Sequence, residues 1–128
     1  MRPLKAKPVI TAKKNAVALK AFFGITQQWH LSSEQESVLL GVPKSTLYRW
    51  KHKHDGALTV DNLERISYIL GIYKALRILL PTTNAANQWV HKPNLAPLFN
   101  GKSALDKLMI GRVIDLADVR RYLDAERG

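Results

Sequence analysis

The chain has no cysteine among its 128 residues, which excludes disulfide frameworks, thiolate nucleophiles and cysteine-ligated zinc. That fits a reducing compartment, and a cytoplasmic protein is the expectation. Long apolar runs are missing too. No stretch approaches the roughly 18 residues of a membrane span, and the opening Met1-Arg-Pro-Leu-Lys-Ala-Lys-Pro8 is basic without the apolar segment of a secretory signal. There is no glycine-rich phosphate loop. The four histidines, His30, His52, His54 and His91, include no pair at i, i+4 spacing with an intervening glutamate, as a zinc hydrolase uses. Ser45 and Ser103 suit backbone or capping roles better than nucleophilic ones. Asp115, Asp118 and Asp124 suit capping and surface roles. Hence no catalytic residue, no metal site and no cofactor is expected, and the chain is not an enzyme.

Acid is the other scarcity. The net charge is +10, and it is unevenly spread. Residues 1–54 carry ten Lys or Arg against only Glu34 and Glu36, whereas residues 55–128 carry ten against eight acids. A polyanion is therefore the natural partner of the N-terminal half, and the C-terminal half has some other task.

What is present sits first in the run from Ser33 to Lys51. Ser33 with Glu36 three residues later forms a capping-box pattern, so a helix is expected to begin there. Gly41 supplies a left-handed residue to end it, and Pro43 suits the first turn of the next helix. Leu40, Val42, Leu47 and Trp50 fall at apolar contact positions, and Ser37 is small where two helices cross. This is a helix-turn-helix pattern. Its outward residues are Lys44, Ser45, Thr46, Tyr48, Arg49, Lys51, His52 and Lys53, a mixture of phosphate binders and base readers that points to DNA.

Around it the periodicity is helical throughout. Residues 1–12 are expected to form a flexible basic arm, and Ala18, Phe22, Ile25 and Trp29 mark a scaffold helix from about Lys13. Thr59 can cap a helix burying Leu63, Ile66 and Leu70, which Gly71 ends or bends before an apolar continuation to Pro81. Thr82 to Asn84 cap a short helix to Trp89 and Val90, followed by a loop with two prolines, residues 92–101. Ser103 with Asp106 opens another helix, and Asp115 with Asp118 opens the last, which buries Leu116, Val119 and Leu123. The expected class is all-α, with a helix-turn-helix DNA-binding region over 13–80, to which the resemblance below adds dimerisation, and a smaller helical region over 81–128.

These residues also carry a resemblance. The segments Gln28 to Ser32, Leu39-Leu-Gly-Val-Pro-Lys-Ser-Thr-Leu-Tyr-Arg-Trp50, Glu64-Arg-Ile-Ser67 and Leu70 to Leu76 belong to it, as do Trp89-Val-His-Lys-Pro-Asn94, Phe99-Asn-Gly101 and Asp115 to Gly128. Over nearly its whole length the chain resembles the Xre/MbcA/ParS-type antitoxins, whose partners are NAD-consuming toxins of the RES fold. The resemblance implies an Xre-like lobe that dimerises and binds operator DNA, and a C-terminal lobe that holds the toxin with its end at the NAD site. Carried over to this sequence, Arg120, Arg121, Tyr122, Asp124, Arg127 and Gly128 would face the toxin. A cut after Tyr122 would then abolish inhibition. The alternative is a stand-alone transcriptional regulator whose C-terminal lobe dimerises or senses a ligand.

Overall fold

A computed structural model describes residues 9–53 and 56–128. Most of the basic arm and His54 lie outside them. Among the described residues seven α-helices follow one another: α1 (Val9–Gln28), α2 (Ser33–Leu40), α3 (Lys44–Lys53), α4 (Val60–Leu79), α5 (Thr83–Gln88), α6 (Ala104–Leu108) and α7 (Val113–Arg127). A 3₁₀ turn, Trp89–His91, follows α5. Among the described residues there is no strand, only an isolated bridge between Pro93 and Ser103. The protein is all-α, with an N-terminal helix-turn-helix lobe and a small C-terminal helical lobe. No described helix is long and apolar enough to cross a membrane.

Several helix ends differ from expectation. The first helix begins at Val9 rather than near Lys13, so the tail end of the expected arm is helical. The α2 cap is Ser32, not Ser33: its hydroxyl accepts from Gln35 N–H, and the Gln35 side chain accepts from Ser32 N–H at 2.8 Å. Either serine can cap. The burial of Glu36 decides between them, because it rotates that residue away from the cap and into the lobe. Arg112 occupies the cap position of α7, where the Asp115 carboxylate accepts its backbone N–H at 3.1 Å. Asp115 thus sits three residues inside the position expected. The caps at Thr59, Thr82 and Ser103 stand where the sequence puts them.

The 20-residue α4 runs unbroken through Gly71, which does not end it. A Cβ at Gly71 would come within 1.9 Å of the Arg120 guanidinium. The missing side chain at Gly71 therefore leaves room for the Arg120 side chain of α7 to lie against α4. Leu63 and Leu70, expected in the core, are 40% and 37% exposed. The buried stripe is instead Ile66, Ile69, Ile72, Ala75 and Leu76, rotated round the helix because α4 packs against α1 on one side and α7 on the other.

One apolar core runs through both lobes. Leu19 and Phe22 of α1, Trp29 just after it, Leu39 and Leu40 of α2 and Leu47 and Trp50 of α3 meet the α4 stripe. Beyond it Val90, Phe99, Leu108, Leu116, Val119 and Leu123 continue the same cluster. Between α5 and α6 the Asn94 side chain accepts from Ala96 N–H at 2.9 Å, and the Asn94 carbonyl accepts from Gly101 N–H at 2.8 Å. That pair of bonds closes the proline-containing loop onto itself.

Candidate functional site

The helix-turn-helix is built by α2 and α3. Gly41 between them has φ of 73°, a left-handed conformation that lets its N–H reach the Ser37 carbonyl at 2.9 Å and end α2. The Ser37 hydroxyl donates to the Val42 carbonyl across the turn. Leu47 and Trp50 anchor the inner face of α3. Its outer face presents Lys44, Ser45, Tyr48, Arg49, His52 and Lys53 to solvent, with Thr46 half-buried.

The cations on α3 are not equivalent. Arg49 and Lys53 make no ion pair among the described residues. Lys44 bonds Glu34 at 3.1 Å; this hydrogen bond, seconded by charge attraction, holds the lysine above its usual pKa. The pair is exposed on both sides, so it can open when a phosphate arrives. Lys51, expected among the phosphate binders, turns inward. Its ammonium lies 2.8 Å from the Glu36 carboxylate, itself 2% exposed, and 5.6 Å from the centre of the Phe23 ring. The other Glu36 oxygen accepts the Thr26 hydroxyl at 2.5 Å. Lys51 therefore ties α3 to α1 and α2. The signal for this lay in spacing: Glu36 is three and four residues before Leu39 and Leu40, on the buried face of α2.

Arg65 was not singled out in the sequence, yet it joins the two lobes. From α4 its guanidinium donates to the Val38 carbonyl at 3.2 Å and to the Gly111 carbonyl at 2.9 Å, while Nε bonds Asp61 at 2.9 Å. The end of α2 and the turn before α7 are thus held by one side chain. His91 Nε2 lies 2.6 Å from the Trp29 carbonyl, tying the turn after α1 to the C-terminal lobe.

In the C-terminal lobe Asp115 is fully buried and ion-paired to Lys107 and Arg112, each at 2.8 Å. The Arg112 hydrogen bonds, with help from Lys107 and against the cost of burial, hold its carboxyl far below the usual range. The tail residues expected to face a partner divide into two groups. Arg120 lies over Gly71 and bonds Asp124 at 3.1 Å, and Tyr122 stacks on Trp89 with its edge contact to Phe99, so both help to build the lobe. Arg121, Asp124, Arg127 and Gly128 are exposed, and Arg121 pairs with Asp118. No group of three or more His, Asp or Glu suited to a metal ion occurs among the described residues.

Two family models match. Residues 8–71 match the antitoxin Xre-like helix-turn-helix domain, and residues 75–128 match the antitoxin Xre/MbcA/ParS C-terminal toxin-binding domain. The chain belongs to the Xre/MbcA/ParS antitoxin family. It is also 49% identical over 111 residues to the uncharacterized protein y4oB of Sinorhizobium fredii (strain NBRC 101917 / NGR234), a match covering 86% of this chain and 84% of that protein. Membership in the Xre/MbcA/ParS family accords with a regulatory protein rather than a catalyst. The two matches meet within α4, the helix that packs against both lobes.

Proposed function

We propose that this antitoxin represses its own operon through α3 and inhibits an NAD-consuming RES-fold toxin through α7 and the exposed tail. What carries the reading is that two separate exposed surfaces, the outer face of α3 and residues Asp124–Gly128, stand on one continuous core. A near-neutral C-terminal helix suits a protein partner, and the basic N-terminal half suits DNA. As a homodimer the protein would set two α3 helices on a pseudo-palindrome, with half-sites about 34 Å apart or a multiple of it. Lys44, Ser45, Thr46, Tyr48, Arg49, His52 and Lys53 would make the contacts, with Lys51 holding the helix in place. Residues 13–80 would serve DNA binding and dimerisation, and 81–128 the toxin.

Arg49→Ala and Tyr48→Ala are each expected to weaken operator binding by about 1–3 kcal/mol, mostly at particular base pairs. Lys53→Ala is expected to lower affinity for all sequences and to flatten the salt dependence. Titrations of operator and scrambled DNA at several salt concentrations check both; an unchanged Arg49→Ala affinity would remove α3 from the groove.

Inhibition is tested by following NAD consumption by a RES-fold toxin taken as the proposed partner. The full chain is expected to suppress it, and a chain lacking residues 125–128 is expected not to. A cut after Tyr122 would be a poor test, because it also removes Leu123, which is 2% exposed. Equal suppression by both chains would mean that the tail does not block the enzyme.

A further inference from the structure

The end of α4 and the last turns of α7 enclose a groove of about 220 Å³ lined by Leu79, Leu80, Trp89, Tyr122, Leu123 and Glu126. Its size is informative, since cofactor and small-ligand cavities run to about 300–1,000 Å³. This one suits a single large side chain. Its aromatic wall is already locked: Trp89 and Tyr122 stack at 6.4 Å between ring centres, and both meet Phe99 edge-on at 5.8 and 5.1 Å. A wall held in this way loses little freedom when something binds to it.

Charge makes the groove directional. Asp115, Asp118 and Asp124 of α7 are each paired with Lys107, Arg112, Arg120, Arg121 or Arg127. Glu126, exposed at the groove, is the one acid on α7 with no ion pair among the described residues. Every lining residue also falls within the match to the toxin-binding domain, residues 75–128.

We infer that this groove is an anchor pocket for the toxin, receiving one large apolar side chain that is flanked by a lysine or arginine pairing with Glu126. The inference rests on the toxin-partner reading above and adds to it a division of labour. The groove, Glu126 included, supplies affinity, through a desolvated anchor of the kind that dominates interfaces, and the rest of the exposed tail supplies inhibition.

Calorimetric titration of the proposed RES-fold toxin into the full chain tests this. Leu80→Arg fills the groove, and Glu126→Lys reverses its charge from an exposed position that leaves the core untouched. Each is expected to raise Kd at least tenfold, with Glu126→Gln falling between Glu126→Lys and wild type. Should Leu80→Arg lower the melting temperature, Glu126→Lys decides alone. Toxin affinities for Glu126→Lys within twofold of wild type would overturn the pocket while leaving the toxin reading intact. So would variants that disrupt self-association of the chain and bind toxin normally, which would make the groove a contact between copies. No toxin binding by the wild-type chain would overturn both.

Discussion

Replacing Asp115 by alanine should destabilise the protein by about 3 kcal/mol, the lower end of the cost of breaking a buried ion pair. Four hydrogen bonds disappear together. Lys107, with a side chain 16% exposed, loses its 2.8 Å partner and keeps only Asp118 at 3.4 Å. Arg112 loses a doubly bonded partner but is 64% exposed and can turn to water, so its loss adds little. The backbone N–H of Arg112 loses the acceptor that caps α7, a contribution of about 1 kcal/mol by itself. The total is a large share of the 5–15 kcal/mol typical of a domain. It should lower the melting temperature by about 10 °C. Asp115→Asn keeps an acceptor for the cap and removes the charge, so its melting temperature should lie between those of Asp115→Ala and wild type. Equal melting temperatures for wild type and Asp115→Ala would mean that the network does not hold the lobe.

The same carboxylate gives the stability a pH dependence. Arg112 and Lys107 hold the folded-state pKa of Asp115 far below its usual value of 3.8. A depressed acid stabilises the fold fully above the unfolded value and loses that contribution as pH falls towards the folded one. Thermal unfolding of wild type should therefore weaken progressively below about pH 4, and Asp115→Asn should show a flatter acid limb. Parallel acid limbs for the two proteins would assign the acid sensitivity to other carboxylates.

The elements legible in the sequence are those set by local chemistry. Thr59, Thr82 and Ser103 cap as their side chains allow, and Gly41 turns the chain because its φ is positive. What could not be read was decided at long range. Gly71 looks like a breaker in isolation, and its role depends on Arg120, which is 49 positions away in the chain. Lys51 looks like one more surface cation until the buried Glu36 and the ring of Phe23 are brought beside it. Leu63 and Leu70 share helical spacing with Ile66, and only the positions of α1 and α7 determine which stripe is covered. In the site, the composition of the outer face of α3 was legible, whereas the groove beside Glu126 draws on three separate segments and was not.

Trp50→Ala should cost about 3–5 kcal/mol, the range for deleting a buried aromatic side chain. The residue is 6% exposed, and its ring packs so tightly on the α3–α4 connection that a Cβ added at Gly56 would lie 2.4 Å from it. No neighbouring side chain need move for a cavity to open, so little of the loss is recovered by collapse. The melting temperature should fall by roughly 10–15 °C. Operator binding should fail along the thermal transition and survive in the cold, where the variant is still folded. Arg49→Ala should do the opposite, keeping the wild-type melting temperature and losing affinity at every temperature. Because the apolar cluster runs unbroken from Trp50 through α4 to Leu116 and Leu123, the damage should not stay in the DNA-binding lobe. Unfolding should remain one transition, and toxin binding should be lost in step with operator binding, measured by calorimetry and by DNA titration across the same temperatures. Two separate transitions, with the C-terminal lobe melting as in wild type, would show that the shared helix does not couple the lobes.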